Sequence, residues 1–226
     1  MLTKSGRNPV MRIAILISGR GSNMQSLVYA ARRADIDITL IAANTPCAGL
    51  DFAEQQALPH CLVNRSEYPD KMSHEDALAA EIEKASPDWI FLAGYMAVLS
   101  ADFIDRFDGR IINIHPSLLP VFKGLNTHQR ALDAAHTTHG ASIHLVTSEL
   151  DGGEVIIQAE TPIRTHDADE LAAHILQIEH LLYPAVLLSL CSGKLTIEDG
   201  VISWLDKHYL PSPGDAEISR IICPEG

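Results

Sequence analysis

A chain of 226 residues, 46% of them apolar, lies near the top of the single-domain range and can bury one substantial core. Its 29 acidic against 17 basic residues give a formal charge of −12, which argues against a nucleic-acid partner unless basic residues cluster, and they do not. Cys47, Cys61, Cys191 and Cys223 are scattered without a C-x-x-C pair, the pattern of reduced thiols in a cytoplasmic protein.

In chain order, Lys4 and Arg7 precede an apolar run that Arg12 interrupts, which fits neither a signal peptide nor a membrane span, so no membrane partner is expected. Ile13–Ile17 then reads as a buried strand, and Ser18-Gly-Arg-Gly-Ser-Asn23 follows it directly. A glycine turn between strand and helix is where backbone N–H groups and the helix dipole hold an anion. Ser22 as N-cap with Gln25 three residues on is a capping box that would fix the helix start. A dinucleotide fingerprint needs glycine where Met24 stands and an acid where Asn44 stands, and no Gly-Lys-Ser/Thr follows. A mononucleotide or sugar-phosphate cradle remains, beside the plain alternative of a tight turn that binds nothing.

The spacing predicts helices over 23–33, 51–57, 70–84 and 101–106, alternating with apolar strands at Ile38–Ala42, Trp89–Leu92 and Arg110–His115. This is an α/β protein with a Rossmann-like, mostly parallel sheet and helices on both faces. The rhythm changes at Ala141–Thr147 and Glu154–Ala159, two strands around an acidic, glycine-rich turn that read as an antiparallel C-terminal part. A long helix over 167–190 opens on an Asp167/Glu170 capping box and should bend at Pro184, with Leu171, Ile175, Ile178 and Leu182 as its buried stripe. Asp199-Gly200 then turns a hairpin between Leu195–Glu198 and Val201–Leu205. Residues 11–210 form one domain in this reading, after an N-terminal extension over 1–10 and before a loose tail over 211–226.

Two residues apart on a strand, Asn113 and His115 present an amide and an imidazole on the same side, and Pro116 bars continuation into helix. They should stand at the carboxyl rim of the sheet, where open α/β sheets bind ligands. Attack on a carbonyl carbon builds an oxyanion that an Asn amide or a protonated His can stabilise, and the same His can shuttle a proton. With no Gly-x-Ser-x-Gly elbow and no nearby cysteine, direct acyl or formyl transfer is favoured over a covalent intermediate. Asp151, before Gly152 and Gly153, could reach the same rim and favour a charged His115, although aspartate before glycine is also an ordinary turn choice. His136 and His139 lack a third convergent ligand, so no metal is expected, and His144 reads as a core or wall residue.

Ile112-Asn-Ile-His-Pro-Ser-Leu-Leu-Pro120 resembles the signature of the folate-dependent formyltransferases, as do residues 17–23, Phe122-Lys-Gly-Leu-Asn-Thr-His128 and Leu150-Asp-Gly-Gly153. The resemblance spans about residues 11–210. It implies formyl transfer from 10-formyltetrahydrofolate to glycinamide ribonucleotide in purine biosynthesis, with Asn113, His115 and Asp151 as the catalytic trio. By the same resemblance Gly21, Ser22 and Asn23 hold the acceptor's phosphate, and Glu179 its ribose. Met96, Ala97, Val98, Leu99, Thr147, Ser148, Glu149, Leu150, Asn113 and Asp151 match the folate pocket, as does Lys71. Ala97 and Lys71 stand where relatives carry arginine, and lysine loses the bidentate fork.

The rival activities are 10-formyltetrahydrofolate deformylase and methionyl-tRNA formyltransferase, and the rival outside enzymes is a silent folate- or phosphate-binding module. The tRNA enzyme should add a basic C-terminal domain, the deformylase an N-terminal regulatory domain, and the silent module should lose the polar trio. Small-molecule substrates and a monomer or homodimer are expected.

Overall fold

A computed structural model describes residues 10–107 and 109–224; the extension with Lys4 and Arg7 lies outside the described residues, apart from Val10. β1 (Arg12–Ile17) is buried almost throughout, because its alternate residues serve two cores. Ile13, Ile15 and Ile17 pack with α1 (Ser22–Ala34), which a short turn connects to β2 (Asp37–Ala43) and then α2 (Ala48–Gln55). Ala14 and Leu16 face the opposite side of the sheet. β3 (His60–Leu62) leads to α3 (Lys71–Ala85), β4 (Trp89–Leu92), α4 (Ala101–Asp105) and β5 (Ile111–His115), with α3 and α4 over Ala14 and Leu16. Helices on both faces follow from this two-sided burial.

Beyond β5 come α5 (Thr127–Asp133), β6 (Thr138–Leu145), β7 (Val155–Pro162) and α6 (Ala168–Cys191). Leu171, Ile175, Ile178 and Leu182 are all buried, and α6 packs against α1. α6 has the length and mean hydropathy of a membrane span, 1.4, but here that apolar surface lies in the core. It runs unbroken through Pro184. β8 (Leu195–Glu198) and β9 (Val201–Trp204) form a separate hairpin, whose turn residues Asp199 and Gly200 both have positive φ. β10 (Arg220–Ile222) closes the chain.

Among the described residues the main sheet has eight strands in the order β10-β7-β6-β5-β4-β1-β2-β3. β3, β2, β1, β4 and β5 are parallel, and β6, β7 and β10 extend the sheet antiparallel. The expected α/β class, parallel core and antiparallel extension are therefore present.

Several local expectations change. β3, α5 and β10 are additional elements, and the predicted helix at 51 starts at Ala48. The segment after Pro211 is not a loose tail in its described part: β10 pairs with β7, and Ile218 is 2% exposed. Asp167 does cap α6, accepting from the Asp169 and Glu170 N–H groups at 2.8 and 3.0 Å. The return half of that box is indirect, since the Glu170 carboxylate takes the Thr165 hydroxyl, and Thr165 Oγ1 accepts the Asp167 N–H at 3.1 Å.

Candidate active site

Strand order reverses between β1 and β4, which opens a crevice at their carboxyl ends. Ser18 ties the two strand ends together: its N–H donates to Gly94 O at 3.1 Å, and its Oγ accepts the Met96 N–H at 2.8 Å. The same hydroxyl donates to Asn44 Oδ1 at 2.7 Å, the position that would be acidic in a dinucleotide site.

Gly21 is the N-cap of α1, left-handed at φ 74°, and Ser22 is already helical. The expected Ser22–Gln25 box is therefore absent, and no side chain caps the helix. The physical reason is proximity. A Cβ on Gly21 would lie 2.8 Å from the Met24 methyl and 3.2 Å from Gly49 Cα, while the Gly49 N–H donates to Gly19 O at 3.1 Å. Two helix starts thus converge on the turn, and the first N–H groups of α1 have no side-chain acceptor.

Asn23 and Glu179 meet here, 156 residues apart, because α1 packs on α6. Asn23 Nδ2 donates to Glu179 Oε2 at 2.7 Å, and Asn23 Oδ1 is buried with no partner. Burial pushes the Glu179 carboxyl up to about 7, against the opposing effect of the Asn23 hydrogen bond. Glu179 is 6% exposed, so it is no ordinary surface charge.

At the end of β5, the expected trio converges. His115 Nδ1 lies 3.5 Å from Asp151 Oδ2, and His115 Nε2–H donates to Phe122 O at 3.0 Å. Asp151 sits in the left-handed region at φ 46° and its Oδ2 accepts the Gly124 N–H at 2.8 Å. Phe122, also left-handed at φ 57°, is a bulky residue in a costly conformation that aims its carbonyl at His115. The loop that carries it is pinned from beneath. Ser142 Oγ donates to Ser117 O at 2.6 Å and accepts the Leu119 N–H at 3.0 Å, while Gln158 Nε2 donates to Leu119 O at 2.8 Å.

One member of this cluster escaped the sequence reading. His144 stands opposite Asn113 in the β5–β6 register, and Asn113 Nδ2 donates to its Nε2 at 3.1 Å. The only hint in the sequence was a histidine on an apolar strand, and the partner that gives it meaning comes from strand pairing. His136 is exposed, but His139 is buried, 1% exposed, so the two do not form a solvated pair. Among the described residues no group of three His, Cys, Asp or Glu could hold a metal. His139 is instead 3.2 Å from His128 Nδ1, and burial with its neighbouring histidines pushes it down to about 4.

Met96, Ala97 and Val98 are exposed on the rim, as are Thr147, Ser148, Glu149 and Leu150, so these segments present an apolar wall and a polar edge. Leu99 lies beneath that wall, in the core. Lys71 Nζ is 3.7 Å from Glu75, whose carboxylate accepts the Ser100 N–H at 3.1 Å, which places Lys71 beside the Met96–Leu99 segment. Two half-open grooves among the described residues lie elsewhere, about 600 Å³ around Trp204, Lys207 and Arg220 and about 380 Å³ around Trp89 and Arg110; neither is lined by the trio.

The chain has relatives among known proteins. Residues 11–187 match the formyl transferase family. The chain is 38% identical over 209 residues to phosphoribosylglycinamide formyltransferase of Haemophilus influenzae, covering 91% of this chain and 98% of that one. It is 39% identical over 210 residues to the enzyme of the same name from Escherichia coli, covering 91% and 99%. The crystal structure of glycinamide ribonucleotide transformylase 1 from Symbiobacterium toebii superposes with a TM-score of 0.83 at 32% identity, covering 90% of this chain and 100% of that one.

Proposed function

The chain belongs to the formyl transferase family, and from that premise we propose that it transfers the formyl group of 10-formyltetrahydrofolate to the amine of 5′-phosphoribosylglycinamide, in purine biosynthesis. The observation that carries the reading is the cluster at the rim of β5, where His115 lies 3.5 Å from Asp151 and Asn113 reaches Asp151 through His144, on the same sheet edge as the uncapped start of α1.

The acceptor's phosphate sits on the N–H groups at Gly21, Ser22 and Asn23, where the helix dipole favours an anion. Its ribose hydroxyls face Glu179 and the unpartnered Asn23 Oδ1. The folate ring lies against Met96, Ala97 and Val98, with the backbone of Thr147–Asp151 at its polar edge and Lys71 toward its anionic tail. A lysine there supplies charge without the two-pronged geometry of arginine.

The neutral amine of the acceptor attacks the formyl carbon, and the carbonyl oxygen becomes an oxyanion. Asn113 donates an N–H to it. His115 has both ring nitrogens beside oxygen acceptors, an arrangement that a doubly protonated ring satisfies. In this geometry its positive charge acts through space, and a direct hydrogen bond to the oxyanion requires Nε2 to leave the Phe122 carbonyl. Asp151 holds that charge in place. The intermediate then collapses: the bond from carbon to the folate nitrogen breaks, that nitrogen gains a proton and the attacking amine loses one, through water at the rim.

The purified chain should form tetrahydrofolate from 10-formyltetrahydrofolate only when phosphoribosylglycinamide is added. Formate release without the acceptor would point to the deformylase, formylation of methionyl-tRNA to the tRNA enzyme, and folate binding without turnover to a silent module.

A further inference from the structure

Asn113 can donate to an oxyanion only if its amide is held the right way round, because a carboxamide turned over presents an acceptor where a donor is needed. The surroundings fix that choice. His144 Nδ1 is 2.8 Å from the carbonyl of Leu145, an acceptor only, so Nδ1 carries the proton. His144 Nε2 is then a lone pair, and of the two ends of the Asn113 amide only the nitrogen can serve it, at 3.1 Å. One amide N–H is thereby committed to His144 and the second is left for the half-buried rim.

We infer that His144 is a positioning residue for the formyl transfer, a neutral Nδ1–H imidazole that holds the Asn113 amide with its nitrogen toward the reacting centre. The inference rests on the reaction proposed above. His144 is 2% exposed, and burial lowers its affinity for a second proton, which keeps Nε2 unprotonated. The charged groups that face it are Asp151, with Oδ1 3.7 Å from Nε2, and more weakly His115 and Lys123. Asp151 acts against the burial effect and the two cations act with it.

Backbone geometry is fitted to the same end. The register of β6 on β7 slips by one residue between Ile143 and His144. Such irregularities beside a site re-aim a side chain. Gly153 presses so closely on the Leu145 carbonyl that any Cβ would overlap its oxygen, which holds the acceptor of the His144 proton in place.

Glutamine places its amide oxygen about where histidine carries Nε2, asparagine falls short, and leucine fills the space without an acceptor. His144→Leu should lower kcat roughly 10–100-fold and leave KM for both substrates within about twofold. His144→Gln should recover most of that loss, and His144→Asn should not. If leucine fails to fold, judged by its thermal midpoint, the comparison of Gln with Asn decides alone. Equal kcat for the folded variants, or a loss confined to KM, overturns the inference. A wild-type protein that transfers no formyl group overturns the reaction itself, a different result from an active wild type matched by His144→Leu.

Discussion

Asp151 carries more of the site than its place in a turn suggests. Its carboxylate lies 3.5 Å from His115 and 3.7 Å from His144 and accepts the Gly124 N–H, so one side chain joins β5, β6 and the loop after β5. Asparagine tolerates the left-handed backbone at φ 46° and can still accept from Gly124. Asp151→Asn therefore removes the charge and keeps the turn: kcat should fall on the order of 10²–10⁴-fold. An unchanged rate would remove Asp151 from the mechanism. Glu179 gives a stability counterpart. Its carboxyl is raised from 4.5 to about 7 in the folded protein, so its contribution is fully present below pH 4.5 and is lost as pH rises through about 7. The loss is on the order of 3 kcal/mol. Between pH 5 and 8 the wild-type thermal midpoint should fall further than that of Glu179→Gln; parallel curves would show that Glu179 is not held protonated.

The turn from β6 to β7 shows how an element fixes a site and how far sequence can disclose it. Both of its glycines look alike in the chain, yet a Cβ on Gly153 would overlap a backbone oxygen, whereas the nearest atoms to one on Gly152 belong to the Glu149 side chain, its Cβ among them at 2.7 Å. Gly153→Ala should cost more than about 3 kcal/mol and carry Asp151 out of place, and Gly152→Ala, which displaces a side chain and not a backbone oxygen, should cost less. Urea denaturation with activity assays checks both, and equal costs would contradict the packing. The long apolar runs of β1, β2, β4 and β5 announced themselves because burial on two faces leaves a continuous signal. β3 and β10, at three residues each, carry too few positions for any period, and α5 is a seven-residue helix within a stretch dominated by motif residues. Ser22 misled because the residue type suits an N-cap, while the approach of Gly49 demanded glycine one position earlier. Asn113 and His115 were legible from strand alternation alone; the relation of Asn113 to His144 depends on which strands pair, and Glu179 on which helices pack.

At the scale of the whole molecule, the sheet is finished by the segment farthest along the chain. β10 lies on β7, the Ser219 N–H donates to Glu160 O at 2.7 Å, and Thr161 Oγ1 donates to Glu217 O at 3.1 Å while bonding His174 Nε2 at 3.0 Å. Ile218 enters the core that also contains the buried face of α6, and Ala216, Ile221 and Cys223 pack against it. That core continues to Ile17 and Ile114, at the carboxyl ends of β1 and β5, so a clasp remote from the candidate site supports the same body that carries it. Removing residues 211–226 would strip β7 of its neighbour and leave an unpaired edge open to other chains. The truncated chain should lose several kcal/mol, of which Ile218→Ala alone should account for about 2–4 kcal/mol. It should also aggregate on warming, despite a net charge that opposes association. Light scattering during a thermal ramp, run beside Ile218→Ala, distinguishes the two contributions. If the point variant unfolds earlier but stays clear while the truncation scatters, the exposed edge of β7 is the cause of association. If the truncated chain melts like the full one, β10 and its clasp add nothing to the fold.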